Sequence, residues 1–160
     1  MLKLFYKISK KKKTLFLDSF FVGYRKTKIK KGQFICAIKI PLPEKNIFKA
    51  YKISKRFDDD ISSVCAAFNL EMVKNKIENV RIAYGGMAEV PKRAIFCEKI
   101  LLKSLINDET ISKAKEALEK DFRPISDMRA SGLYRIEVAK NLLKKCFVEI
   151  NQKKLIGLYG

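Results

Sequence analysis

Histidine is absent from the 160 residues of this chain, and its absence removes the usual routes to hydrolytic or nucleophilic catalysis. A Ser/His or Cys/His pair needs an imidazole to accept the proton of the nucleophile. The chain also has no G-x-S-x-G turn, and Gly85-Gly86 is too short for a phosphate-binding loop. The residues therefore supply no constellation for these reaction classes.

Cysteine is scarce, and the four cysteines lie far apart among apolar neighbours without forming a C-x-x-C pair. They are Cys36, Cys65, Cys97 and Cys146. Because structural zinc takes four Cys or His ligands at close spacing, we expect no metal site. The apolar stretch at residues 2–8 is short and is interrupted by Lys3 and Lys7, and the longest apolar runs are shorter than a membrane span, so we expect neither a secretory signal nor a membrane helix. We expect a cytoplasmic protein with free thiols.

Acidic residues are few: 17 Asp and Glu stand against 35 Lys and Arg, which gives a net charge of +18. Such an excess is typical of proteins that bind nucleic acid or anionic membranes. Here it is mostly lysine spread along the chain, whereas base reading and phosphate clamps favour arginine. We interpret the charge as a solvated surface and keep nucleic-acid binding as a competing hypothesis.

The first half of the chain is rich in β-branched and aromatic residues, many of them alternating with polar ones, which is typical of strands. Strands are predicted at residues 2–8, 14–16, 33–40, 47–53, 61–73 and 76–84. The lysine run at 10–13 fits a hairpin turn or a binding arm, and residues 18–31 fit a loop or a short helix. Lys74-Asn75 is expected to join the last two strands as a hairpin.

A helical periodicity after Pro91 predicts three helices. Pro91 suits the first position of a helix over residues 91–102, and Asp108 or Thr110 can cap the second helix. Ser131 is expected to cap the last helix, whose broad apolar face is predicted to contain Leu133, Ile136, Ala139, Leu142 or Leu143, Cys146, Phe147 and Ile150. Strands followed by helices predict an α+β fold, with a small antiparallel sheet of three or four strands packed against about three helices.

Four phrases occur in order along the chain: DSFFVGYRKT at residues 18–27, YKISKRFDDDIS at 51–62, YGGMAEVPKRA at 84–94 and DFRPISDMRASGLYR at 121–135. Together they resemble the C-terminal part of the FAD-binding domain of bacterial xanthine dehydrogenases, in particular the small subunit of two-subunit enzymes. The resemblance implies the fold of the CO dehydrogenase flavoprotein C-terminal domain. It also implies that residues 1–30 end an N-terminal FAD subdomain and its connector, while residues 31–155 form the C-terminal domain.

The resemblance implies a role in an oxidoreductase of purine metabolism. In that family, hypoxanthine and xanthine are oxidised at a molybdenum centre, electrons pass through iron-sulfur clusters to FAD, and FAD delivers hydride to NAD. This chain would help to position FAD. The iron-sulfur clusters and the molybdenum cofactor would belong to the remaining FAD/iron-sulfur segment and to a large molybdenum-binding partner subunit.

The resemblance also implies site residues. Lys52 matches a flavin-contacting lysine, whose charge suits the negative charge that flavin gains on reduction; the alternative is a strand lysine that points into water. Ile35 would line the flavin ring or belong to the core. Tyr24 matches an aromatic residue near the nicotinamide nucleotide, and Arg25 beside it would meet a phosphate or a carboxylate.

Arg56, Asp59 and Asp60 lie in the segment at residues 53–63, which matches a mobile family loop beside the flavin. Their charges would act through the local field and through access, and so influence whether NAD or oxygen takes the electrons. A solvated loop of mixed charge is the alternative interpretation. In the last phrase, Asp127 and Arg129 are expected to pair across the entrance of the final helix.

The glycine- and asparagine-rich turns that hold the FAD pyrophosphate in the family have no counterpart in this sequence. We therefore expect a partial flavin site in a chain that folds, binds FAD weakly or not at all alone, and is not catalytically competent alone. A gene fragment, a split subunit and a relic all fit this pattern. The competing functions are a stand-alone basic nucleic-acid-binding relic and a structural remnant that mediates subunit contacts.

Overall fold

The computed structural model describes residues 3–8, 11–41, 46–56 and 60–152. The chain divides into two compact units, Met1–Glu44 and Lys45–Gly160. The domain boundary predicted at residues 30/31 was placed by resemblance to a family, whereas these two units are defined by their compactness. The predicted boundary therefore stays a prediction.

The first unit is built from short antiparallel strands. They are β1 (Lys3–Ile8), β2 (Lys11–Phe16), β3 (Phe21–Gly23), β4 (Lys26–Thr27) and β5 (Phe34–Lys39). One sheet has the order β2-β1-β5, and β3 pairs with β4 alone. The predicted loop or short helix at residues 18–31 contains a 3-10 turn, Leu17–Ser19, and also this small hairpin, which the sequence analysis missed. Arg25 makes the hairpin turn with a left-handed φ of 54°.

The second unit contains one four-stranded antiparallel sheet in the order β6-β7-β8-β9. Its strands are β6 (Ile47–Ile53), β7 (Val64–Val73), β8 (Lys76–Gly85) and β9 (Lys92–Arg93). The predicted hairpin is present, since Lys74 and Asn75 turn the chain with φ angles of 48° and 64°, the conformation of a tight hairpin turn. Alternate residues of β7 and β8 are buried, so one face of the sheet forms the floor of the core.

Three helices cover this buried face: α1 (Ile95–Leu101), α2 (Asp108–Asp121) and α3 (Gly132–Gln152). A row of edge-to-face aromatic contacts crosses the core from Tyr51 through Phe68 and Tyr84 to Phe122, with ring centroids 5.8, 6.0 and 5.4 Å apart. Such pairs stabilise a core beyond the area that they bury. Within the described ranges, no helix is long and apolar enough to cross a membrane.

The predicted start of α1 at Pro91 is wrong. Residues 92–93 instead pair with Ala83 and Tyr84 of β8 as the short strand β9, and α1 begins at Ile95. A residue distant in sequence, Asp121, caps its first turn. The two carboxylate oxygens of Asp121 accept the backbone N–H groups of Phe96 and Cys97, each at 2.9 Å. A cap that lies so far along the chain leaves no local signal at the start of the helix.

The cap of α2 also differs from the prediction. Asn107, rather than Asp108 or Thr110, is the N-cap, and its side-chain oxygen accepts the N–H of Thr110 at 2.8 Å. The predicted Ser131 cap of α3 is present, since its hydroxyl accepts the N–H of Tyr134 at 3.2 Å. Leu133, predicted to lie on the apolar face of α3, is 83% exposed, because the buried face of this helix runs through Arg135, Ala139 and Leu142 and residues two positions apart do not share a helix face.

Gly86 supports a testable prediction. Its φ is +79°, and a Cβ there would lie 2.3 Å from the carbonyl oxygen of Ser63, whereas a Cβ at neighbouring Gly85 would meet only Cys65 at 3.6 Å. We expect Gly86→Ala to lower the free energy of unfolding by about 3 kcal/mol and Gly85→Ala to change it by less than about 1 kcal/mol. Urea denaturation of both variants checks this, and equal effects would contradict the geometry.

Candidate functional site

A cleft of about 450 Å³ opens where the β6–β7 loop meets the connection between α2 and α3. Its walls combine cationic, hydroxyl and apolar side chains; they belong to Ser54, Lys55, Ser63, Asp127, Met128, Arg129, Ala130, Ser131 and Tyr134. The first residue of its lining, Ser54, follows two positions after Lys52, for which the family resemblance predicts a flavin contact. The cleft therefore lies next to the predicted site.

Backbone and side-chain hydrogen bonds fix both ends of the β6–β7 loop. The N–H of Ser63 donates to the carbonyl of Ile53 at 2.8 Å, which closes the loop at its base. The Lys55 ammonium donates to the carbonyl of Met128 at 2.7 Å and so joins the loop to the α2–α3 connection. The position of the loop therefore depends on the segment before α3.

Arg135, in the first turn of α3, connects three parts of the second unit. Its buried guanidinium donates to the carbonyls of Ser63 and Gly86, the latter at 2.8 Å, and to the carboxylate of Asp127 at 2.7 Å. Within the described part of the chain, its Nε has no hydrogen-bond partner. The start of β7, the end of β8 and the α2–α3 connection thus share one donor group.

Asp127 is the acidic partner of this arginine. Its carboxylate accepts the backbone N–H of Arg129 at 2.8 Å and that of Ala130 at 3.2 Å, besides the bond from Arg135. These bonds favour the charged form, so the pKa of Asp127 lies below its ordinary value, with the Arg129 amide as the largest cause. The predicted ion pair with Arg129 is present at 3.9 Å, but Arg135 is the closer cation at 2.7 Å.

The sequence analysis missed the role of Arg135, which it treated as part of a helix that fills the core. One signal was available: in a helix that begins at Ser131, residue 135 falls on the same face as Ala139, Leu142 and Cys146, all of them buried. A charged residue almost never lies on such a face unless it is paired. Because the other positions of this face are apolar, the periodicity alone did not distinguish Arg135 from them.

Three of the predicted site residues lie on β6 or in the loop that joins β6 to β7. Lys52 is exposed on β6, opposite Cys65 of β7. Arg56 forms an ion pair with Asp60, with Nε and Oδ2 3.5 Å apart. The N–H of Ile61 donates to the Asp60 carboxylate and, together with Arg56, keeps the pKa of Asp60 below its ordinary value. Asp59 lies outside the described residues.

The other two predicted site residues belong to the first unit. Ile35 lies on β5 opposite Tyr6 and is 42% exposed, which does not fit the alternative that it is a core residue. Tyr24 is exposed in the β3–β4 turn, and the guanidinium of Arg25 lies over its ring at 5.3 Å from the centroid. Both residues are accessible to a ligand or to another polypeptide.

Two of the four thiols are chemically inert in this fold. Burial raises the pKa of the Cys146 thiol to about 12 and also raises that of Cys97. Within the described ranges, no group of three or more Cys, Asp or Glu residues could hold a metal ion. The cleft residues can bind and orient a partner molecule, and any redox chemistry there requires a cofactor.

Comparisons with known proteins identify the family of the chain. A family model described as the CO dehydrogenase flavoprotein C-terminal domain matches residues 49–150. The glyceraldehyde dehydrogenase medium chain of Sulfolobus acidocaldarius is 34% identical over 134 residues, which cover 82% of this chain and 46% of that protein. The xanthine dehydrogenase of Blastobotrys adeninivorans is 34% identical over 155 residues, which cover 90% of this chain and 11% of that protein.

The fold recurs among solved structures. Quinoline 2-oxidoreductase from Pseudomonas putida 86 matches with a TM-score of 0.84 and 22% identity, over 97% of this chain and 54% of that chain. The predicted α+β fold, with small antiparallel sheets and three helices, is thereby confirmed. The chain spans about half the length of that structure and less of the two curated relatives.

Removal of the Arg135 guanidinium should weaken the second unit. Arg135→Met leaves the carbonyls of Ser63 and Gly86 and the carboxylate of Asp127 without this donor, so we expect a loss of about 3 kcal/mol in the free energy of unfolding. Arg129→Met, which removes a more exposed arginine and its 3.9 Å ion pair, should cost less than about 1 kcal/mol. Denaturant titration compares them, and a similar loss in both would rule out a special role for Arg135.

The lowered pKa of Asp127 predicts a dependence of stability on pH. Because the folded pKa lies below the ordinary value of 3.8, the ionised carboxylate stabilises the fold above that pH, and the stabilisation is lost as the pH falls through the folded pKa. Asp127→Asn should therefore be less stable than the wild type at neutral pH, and the difference should shrink toward pH 3. Glu116→Gln, at an exposed position of α2, serves as the control. A difference in the free energy of unfolding between the wild type and Asp127→Asn that does not change with pH would refute the prediction.

Proposed function

The chain belongs to the family of CO dehydrogenase flavoprotein C-terminal domains, and from this membership we propose that it helps to position FAD in a molybdenum hydroxylase. The proposal extends to an enzyme of the xanthine dehydrogenase type, which oxidises a purine and passes the electrons to NAD. The observation that carries the proposal is the cleft after β6. Its lining includes a hydroxyl donor, Ser54, and a cationic donor, Lys55, which follow Lys52 by two and three positions in the sequence. The free thiols in the described part of the chain support a reducing, cytoplasmic setting.

The lining of the cleft supports the proposal of a partial flavin site. An isoalloxazine ring needs an apolar wall and hydrogen-bond donors at its electron-rich edge, while the pyrophosphate needs backbone amides in tight turns. Ser54, Lys55 and Ser63 supply donors, and Met128 and Tyr134 supply apolar surface. FAD, when bound, would carry electrons between iron-sulfur clusters and NAD, and the protein would orient it.

Lys52 would place a positive charge at the flavin edge that becomes negative on reduction. Arg56 and Asp60 would act beside it as a fixed ion pair, because the Ile61 amide and the Arg56 guanidinium keep the Asp60 carboxylate ionised. Asp59 would add a further negative charge to this loop. Such charges change the local field and the access to the ring and form no bond with it.

Two further residues of the proposed site, Ile35 and Tyr24, belong to the first unit. The exposed aliphatic side chain of Ile35 suits a wall that excludes water from a flavin ring. Tyr24, with Arg25 over its ring, would face the nicotinamide nucleotide, where an aromatic face and a cation suit a base and a phosphate.

The proposed partners are the remaining FAD and iron-sulfur segment of the flavoprotein and a large molybdenum-binding subunit. Two of the relatives are called medium chains, a name that applies to proteins with several subunits. The competing hypothesis of a basic nucleic-acid-binding relic rests on the net charge alone, and the family match gives it no support.

A titration of the chain with FAD tests the proposal at residue level. Because only part of the site is present, we expect weak binding, with amide chemical-shift changes centred on Lys52, Ser54, Lys55 and Ser63. Lys52→Met should weaken the affinity about tenfold through loss of one charge-assisted contact, whereas Lys144→Met on α3 should leave it unchanged. Shifts confined to other surfaces, or none at millimolar FAD, would contradict the proposed site.

A further inference from the structure

The β3–β4 hairpin of the first unit presents an arginine at its tip. Gly23 pairs with Lys26, so Tyr24 and Arg25 form a two-residue loop between the strands. Arg25 has a φ of 54°, in the left-handed region that favours glycine. Glycine would make this turn at a lower cost in free energy, and residues held in such conformations occur often at functional sites. The turn itself therefore does not explain why its side chain is that of arginine.

The loop holds an aromatic ring and a cation side by side. The guanidinium carbon of Arg25 lies 5.3 Å from the centroid of the Tyr24 ring, which is within the range of a cation–π contact. Both side chains are exposed. At the base of the hairpin, the N–H of Lys28 donates to the carbonyl of Phe20 at 2.9 Å, and Phe20 is buried. The hairpin thus presents the ring and the guanidinium from an anchored base.

The sequence around the loop is cationic throughout. Residues 25–31 contain five exposed cations, namely Arg25, Lys26, Lys28, Lys30 and Lys31. No Asp or Glu occurs from residue 19 to residue 43. Within the described ranges, none of these five cations forms an ion pair with a carboxylate. Their charges are therefore available to an anionic ligand.

Nicotinamide dinucleotides occur in two forms that differ by one phosphate. NADP carries a phosphate on the 2′ oxygen of its adenosine ribose, where NAD has a hydroxyl, and sites for NAD commonly place a carboxylate at that hydroxyl, whereas sites for NADP place an arginine at the phosphate. A phosphate monoester carries a charge of about −1.5 to −2 at neutral pH. An arginine among lysines, in a segment without a carboxylate, matches the second kind of site.

We propose that the β3–β4 hairpin binds the adenosine end of NADP and selects NADP over NAD. The adenine stacks on the Tyr24–Arg25 pair, the N–H groups of Arg25 donate to the 2′-phosphate, and Lys26 adds a charge beside it. The inference rests on the proposed function, in which electrons pass to a nicotinamide dinucleotide, and it names the phosphorylated form as that acceptor. Arg25 is then the residue that determines this specificity.

A general attraction to polyanions is the alternative explanation of the cationic hairpin. A chain with a net charge of +18 attracts any ligand that carries several negative charges, and salt screens this attraction. Recognition by the hairpin depends also on the adenine and on the ribose oxygen that bears the phosphate. Inorganic tripolyphosphate and coenzyme A therefore serve as competitors, because the first has no adenine and the second carries its ribose phosphate on a different oxygen.

Calorimetric titration of the full chain with NADP and with NAD tests the proposal. We expect NADP to bind at least about tenfold more tightly than NAD, with amide chemical-shift changes centred on residues 23–28. Arg25→Gly should abolish this preference without loss of the fold, because glycine adopts the left-handed φ of this position readily. Arg25→Lys should restore only part of the preference, because lysine supplies a charge without the planar pair of donors.

Arg123→Met provides the matched control, because it removes one exposed arginine from the second unit, and it should leave the preference unchanged. No binding of NADP at millimolar concentration, equal affinities for NADP and NAD, or a preference retained in Arg25→Gly would each overturn the proposal. Equally effective displacement by tripolyphosphate, or tighter binding of coenzyme A, would do so as well. A titration with FAD separates the two ideas: FAD shifts around Lys52 without selection of NADP contradict the hairpin site alone, and selection of NADP without FAD binding contradicts the flavin role alone.

Discussion

The buried guanidinium of Arg135 is the contact on which the candidate site depends. It donates to the carbonyls of Ser63 and Gly86 and to the carboxylate of Asp127. Desolvation of an arginine is costly, and three acceptors around one group offset that cost. Gly86 makes the arrangement possible, because a Cβ at this position would collide with the Ser63 carbonyl and crowd the arginine. Sheet and helix layers are thereby locked together beside the cleft.

The same contact determines where the predicted flavin residues lie. Ser63 ends the loop that follows β6, and its amide closes that loop on Ile53. Lys55 joins the loop to the α2–α3 connection at Met128. Lys52 therefore projects from a strand whose end is held by the core of the second unit, although its own side chain is exposed. A rigid scaffold that presents exposed polar groups is typical of binding sites.

The two units differ in how far they can stabilise themselves. In the second unit, a sheet face and three helices enclose a continuous core that includes the aromatic row from Tyr51 to Phe122. In the first unit, β5 exposes apolar residues on both faces, and Phe20 is the one buried hydrophobic residue among those described. The described residues of the second unit therefore bury a continuous apolar core, whereas those of the first unit leave most of their apolar surface exposed.

The sequence by itself determined the strands β5 to β8, the Lys74-Asn75 hairpin and the last helix with its Ser131 cap, because periodicity and turn chemistry are local properties. The tertiary structure decided what depends on distant groups. Asp121 caps α1 at Phe96 and Cys97, so the helix begins later than the predicted Pro91. The burial of Arg135 likewise required the carbonyls of Ser63 and Gly86, which adjoin two strands far away in sequence. Such partners are chosen by packing, and local sequence does not encode which of them will meet.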